Sequence, residues 1–150
     1  MKKTILFTIL IVSFALVFAC KSQPKPQQPQ LTEQEKAFKA VADRYREGLI
    51  LEGAENYTVV SGDTLSALSR SRYENGLYYP VIMLASSDVV LDPDKLETGM
   101  ELKIPDLQKN LDDSKARANI KKFLGEVAEL SENRNRPEDA EALRKLADSL

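Results

Sequence analysis

Two short stretches of strand character bracket two helical runs within about 50 residues, and this order restricts the fold more than any other feature of the chain. Asn56-Tyr57-Thr58-Val59-Val60 is rich in β-branched and aromatic residues, as strands are. Ser61-Gly62 reads as a turn, and Asp63 or Thr64 is placed to cap the helix that follows, with Leu65, Leu68 and Ser69 on its inner side. Glu74-Asn75-Gly76 ends that helix. A second helical run goes from Leu77 to Ala85, with Pro80 in its first turn, where a missing N–H does little harm. Turns follow at Asp92-Pro93-Asp94 and Thr98-Gly99. Met100 to Ile104 then alternates apolar and polar residues, as a half-buried strand does, and Pro105 closes it.

The segment YTVVSGDTLSALSRSRY, followed by DPDKLETGMELKIP, resembles a LysM domain. The motif residues stand at both ends: Tyr57, Val59, Gly62, Asp63, Thr64 and Leu65, then Pro93, Gly99, Leu102, Ile104 and Pro105. The resemblance covers roughly a third of the chain. It implies a βααβ fold with two helices on one face of a two-stranded antiparallel sheet. It also implies binding of glycans that contain N-acetylglucosamine, such as peptidoglycan, chitin or chitin-like oligomers. The family's groove lies between the loop after the first strand and the loop before the second. Carried over, it places glycan-binding residues at Gly62, Asp63, Thr64 and Leu65 and at Ser86, Ser87, Asp88, Val89 and Val90. A neutral sugar needs fixed donors and acceptors and a small apolar spot for its acetyl methyl, which Val89 or Val90 would supply. Each of these residues also has a purely structural reading: Gly62 as a turn, Asp63 and Thr64 as caps. The sequence departs from the family at Ser86-Ser87-Asp88, where many members carry Asn, and at Thr98, where Pro is usual. Tyr78 and Tyr79 are the nearest aromatic residues to a sugar platform, and at least one of them is expected in the core.

The N-terminus has a different character. Lys2 and Lys3 precede an apolar run from Ile5 to Phe18, broken only by Thr8 and Ser13. That is the layout of a secretory signal peptide, and it is short for a membrane span. Val17-Phe18-Ala19-Cys20 resembles the cleavage site of bacterial lipoproteins, although Phe18 is bulkier than usual. The resemblance implies removal of residues 1–19 and lipidation of Cys20, the chain's only cysteine. Lys21 to Gln30 contains three prolines and no apolar residue, so residues 20–31 form a lipidated anchor and an extended tether reaching about 30 Å. Lys21 is not the Asp that signals inner-membrane retention in enteric bacteria, which favours an outer membrane facing the periplasm.

Residues 32–55 contain a predicted helix, Glu33 to Leu51, capped by Thr32 and carrying Phe38, Val41, Ala42, Tyr45 and Leu49 on one face. The LysM-like module occupies 56–106. Residues 107–150 form a C-terminal helical arm, with apolar stripes at Ile120, Phe123, Leu124, Val127, Leu130 and at Leu143, Leu146, Ala147, Leu150. Pro137 suits the first position of the last helix. The arm either folds back on the module or the first helix, or docks a partner. The fold class is therefore α+β: a βααβ LysM domain between a helix and an α-hairpin, mostly helical overall.

Composition narrows the function further. Of 21 basic residues, Lys2 and Lys3 lie in the leader, so 19 stand against 23 acidic ones, a balance unsuited to nucleic acid. There is no His, which removes the usual general base and the commonest zinc ligand. No catalytic residue, metal site or cofactor is expected. The reading is a membrane-anchored lipoprotein of the cell envelope, not an enzyme, that binds peptidoglycan or N-acetylglucosamine oligomers. The alternative is an envelope scaffold whose LysM fold and helical arms bind another protein.

Overall fold

The computed structural model describes residues 30–150. The expected signal peptide, Cys20 and nearly all of the tether lie outside the described residues. Among those described, no helix is long and apolar enough to cross a membrane.

Helix α1 spans Glu33–Tyr45. It begins where Thr32 and Glu35 cap each other: Thr32 Oγ1 accepts from the Glu35 amide, and the Glu35 carboxylate accepts from the Thr32 amide. The helix stops short of the predicted Leu51, passing into a 3₁₀ turn, Arg46–Gly48, and then extended chain. Side chains from the C-terminal arm explain the early end. The Asn119 amide donates to the Tyr45 carbonyl at 2.7 Å, taking one of the helix's last free acceptors. Buried Asn110 accepts from the Ile50 amide at 2.8 Å and donates to the Ile50 carbonyl at 2.9 Å, holding that residue as a strand partner would.

Strands β1, Glu55–Thr58, and β2, Glu101–Ile104, pair antiparallel, with Tyr57 opposite Leu102 and Thr58 opposite Glu101. Leu102 and Ile104 point into the core while Glu101 and Lys103 face out, as the alternation requires. Between the strands lie α2, Leu65–Tyr73, and α3, Tyr79–Ala85, joined by a 3₁₀ turn, Gly76–Tyr78. Leu65, Leu68 and Ser69 of α2 are buried, and so is every residue of α3 from Pro80 to Ala85.

After β2 come α4, Leu107–Asp112, α5, Ser114–Asn133, and α6, Pro137–Asp148. The short α4 adds a helix to those the periodicity predicts; its signal is Asp106, which caps it by accepting from the Lys109 amide. The C-terminal arm folds back. Phe123 of α5 meets Phe38 of α1 edge-on at 6.2 Å and Tyr45 at 5.9 Å between ring centres. Phe123, Val127 and Leu143 are buried, so the stripes that a docking partner would have covered lie inside the molecule. Residues of α1, α2, α3, β2, α5 and α6 share one hydrophobic core. The βααβ module is thus packed into its flanking helices.

Candidate functional site

The turn after β1 is built by Val60, Ser61, Gly62 and Asp63. The Asp63 amide donates to the Val60 carbonyl at 3.2 Å, and Gly62 takes φ +93°. Residues with a side chain rarely adopt that value, which is why glycine stands there. A Cβ on Gly62 would meet nothing within 4 Å, so the backbone conformation, not crowding, fixes the residue. The Asp63 carboxylate accepts from the Tyr57 hydroxyl at 2.8 Å and from the Val60 amide at 2.9 Å. Bonding to this carboxylate raises the Tyr57 pKa and keeps the phenol a donor. Thr64 caps α2, its hydroxyl accepting from the Ala67 amide at 3.1 Å. Gly62 and Thr64 are exposed and Asp63 is half-buried, whereas Leu65 belongs to the core.

The second predicted stretch begins at the end of α3. Ser86 is buried at the end of α3, and its hydroxyl accepts from the Lys103 amide at 2.9 Å and donates to the Lys103 carbonyl at 3.3 Å. It fastens the helix end to β2. Ser87 and Val90 are buried as well. Asp88 is exposed and pairs at 3.2 Å with Arg46, beyond the end of α1. Val89 alone of the two valines is exposed.

The distal half of the same loop forms the wall opposite the first turn. Pro93, Asp94 and Leu96 share a cleft of about 590 Å³ with Asp63, Thr64 and Ser66. That volume lies in the ~300–1,000 Å³ range of ligand pockets. This cleft therefore runs between Asp63–Ser66 and Pro93–Leu96; residues 86–90 are not among its lining. Pro93 stands out as a motif residue, but no local signal tells which half of the 15-residue connection, Ser86 to Met100, turns inward.

A connection this long needs support from outside itself. Arg134, at the end of α5, pairs with Asp92 at 2.7 Å and Asp94 at 2.8 Å, and Arg136 pairs with Asp94 at 2.6 Å. Lys95 reaches Glu35 of α1 at 2.8 Å. Burial pushes the Asp92 carboxyl up, but the Arg134 guanidinium and the Asp94 amide outweigh it and hold its pKa below the ordinary value. Lys95, together with the Thr32 amide and hydroxyl, lowers the Glu35 pKa from 4.5 to about 2. Ion pairs to both flanking helical segments therefore fix one wall of the cleft.

Of the two tyrosines, Tyr78 is core and packs edge-on against Tyr73 at 6.3 Å. Tyr79 reaches the cleft lining, although it is largely covered; burial and the charge of Asp139 raise its pKa.

Comparison with known proteins agrees with this architecture. Residues 57–105 match the family model of the LysM domain. Among curated proteins, the chain is similar to the potassium binding protein Kbp of Escherichia coli O6:H1, with 37% identity over 67 residues. That alignment covers 45% of this chain and 45% of the relative, so the likeness extends over less than half of either. No solved structure matches the chain. The β1–α2–α3–β2 segment from Tyr57 to Pro105 is a LysM domain, set among helices that the family model does not cover.

Proposed function

We propose that the protein binds peptidoglycan, or another glycan containing N-acetylglucosamine, non-covalently in the cleft between Asp63–Ser66 and Pro93–Leu96. The observation that carries this reading is the coincidence of the LysM match with an open, polar cleft whose two walls are the loops of that module. Sugar rings present hydroxyls and amides, and the cleft offers the Thr64 and Ser66 hydroxyls, the Asp63 and Asp94 carboxylates, and the apolar edges of Pro93 and Leu96. The reading assigns the module a binding role without catalysis.

Lipidation of Cys20 would place this module at the surface of a membrane, and an extended tether would let it reach the wall. The proposed site of action is the cell envelope, with the outer membrane facing the periplasm favoured by Lys21. The similar protein's name points to potassium. Among the described residues no group of three or more Asp, Glu, Cys or His side chains is placed to hold a metal ion. Phe123, Val127 and Leu143 are buried, so a scaffold role would have to use other residues of the LysM fold and the helical arms.

Co-sedimentation with purified, insoluble peptidoglycan tests the reading. The compact unit Leu31–Leu150 should pellet with the polymer and be released by soluble N-acetylglucosamine oligomers. A protein that stays in the supernatant at all polymer concentrations would contradict it.

A further inference from the structure

The cleft has a third wall that the LysM family model does not include. Helix α6 begins at Pro137 beside the Gly76–Tyr78 turn, and Arg136 and Asp139 at its start line the same cleft as Asp63, Thr64, Pro93 and Asp94. Arg136 has a structural task there, because its guanidinium holds Asp94. Asp139 holds no loop; it stands in the first turn of α6, where a carboxylate suits the helix dipole. It is exposed, and among the described residues it enters no ion pair. Its carboxylate lies close enough to the Tyr79 hydroxyl and to Arg136 to act on the charge of both. An exposed carboxylate at the rim of a polar cleft, held by no ion pair, can exchange its water for the hydroxyl and acetamide N–H donors of a sugar.

We infer that the C-terminal hairpin is part of the sugar site, with Asp139 as a direct contact to the glycan and Arg136 as the residue that positions the Asp94 wall. This rests on the glycan reading of the cleft. It makes the binding surface a composite: two loops come from the LysM module, and one helix start comes from a segment about 40 residues further along the chain. Specificity for the sugar's substituents is then set partly outside the module.

The test is a calorimetric titration of the full-length protein, in detergent micelles, with N-acetylglucosamine hexamer. Wild type is compared with Asp139→Ala, Arg136→Ala and the control Arg144→Ala, whose partner Glu132 belongs to the hairpin itself. Asp139→Ala should bind about fivefold or more weakly, as expected on losing one hydrogen bond to a charged group, with no more than the small fall in melting temperature that losing one first-turn carboxylate gives. Arg136→Ala should weaken binding as well, and Arg144→Ala should match wild type. In amide NMR spectra, hexamer should shift Glu138, Asp139 and Ala140 of wild type together with Asp63 to Ser66. Wild-type affinity in Asp139→Ala, with shifts confined to the two loops, would overturn this inference and leave the glycan reading standing. No binding by wild type would overturn both.

Discussion

Arg134 holds Asp92 at 2.7 Å where both side chains are largely withdrawn from water, 16% and 6% exposed. The pair joins the hairpin turn between α5 and α6 to the loop that walls the cleft. Removing the cation leaves a nearly buried carboxylate without its main partner, and such losses cost more than the pair itself contributes. Arg134→Ala should therefore destabilise the protein by about 1–3 kcal/mol. It should also loosen the Asp92–Leu96 loop, seen as faster hydrogen exchange at the Asp94 and Lys95 amides. Unchanged exchange there would show that the loop holds its shape without the hairpin.

Acid should act on the same supports. The Glu35 and Asp92 carboxyls both have lower pKa values in the folded protein than their ordinary values. As pH falls, the unfolded chain takes up these protons first, so stability is full above the ordinary carboxylate pKa and is lost toward the folded one. For Glu35 that window runs from 4.5 down to about 2. The melting temperature should fall through this range, and Lys95→Gln should make the fall shallower by returning Glu35 toward its ordinary value. An identical pH slope in Lys95→Gln would contradict the assignment.

Gly62 separates strain from binding. Because a Cβ there meets nothing, Gly62→Ala should cost about 1 kcal/mol through its positive φ alone and should leave the turn in place. Thermal unfolding of the compact unit measures it. A loss above about 3 kcal/mol would mean that the turn does more than bend the chain.

The anchor is tested independently of the cleft. Cells producing the wild-type chain should incorporate labelled fatty acid into it, and Cys20→Ser should abolish the label while the melting temperature of the Leu31–Leu150 unit stays the same. An unlabelled wild-type protein would remove the lipoprotein reading and leave the cleft untouched.

Much of the fold was legible because its signals are local. The alternation of Met100 to Ile104, the Thr64 cap and the stripe through Phe123 and Val127 depend on near neighbours in sequence, and each element formed where these signals stand. The end of α1 is not legible locally, because Asn110 and Asn119, 60 and 74 residues from the groups they bind, decide it. The cleft was half legible. Asp63 and Thr64 follow from the turn and cap chemistry of the first loop, while Gly62 shapes that turn without lining the cleft. The opposite wall depends on where Arg134 and Arg136 pull Asp92 and Asp94, and no periodicity encodes a contact 40 residues distant. Ser86 shows the same limit: its hydroxyl fastens α3 to β2 through the Lys103 backbone, a task no local signal encodes.

Blocking the cleft while sparing its framework tests the central claim most directly. Ser66 is exposed in the first turn of α2 and lines the cleft, so Ser66→Trp should fill it without disturbing Gly62 or the Thr64 cap. Titrated with N-acetylglucosamine hexamer, the wild-type compact unit should bind with a Kd of about 10 μM to 1 mM, as expected for a small polar ligand on one shallow site. Ser66→Trp should bind at least about tenfold more weakly, a loss of about 1.4 kcal/mol, at an unchanged melting temperature. Equal affinity in the two proteins would place any glycan site elsewhere, and no heat from wild type at millimolar hexamer would contradict glycan binding by this protein.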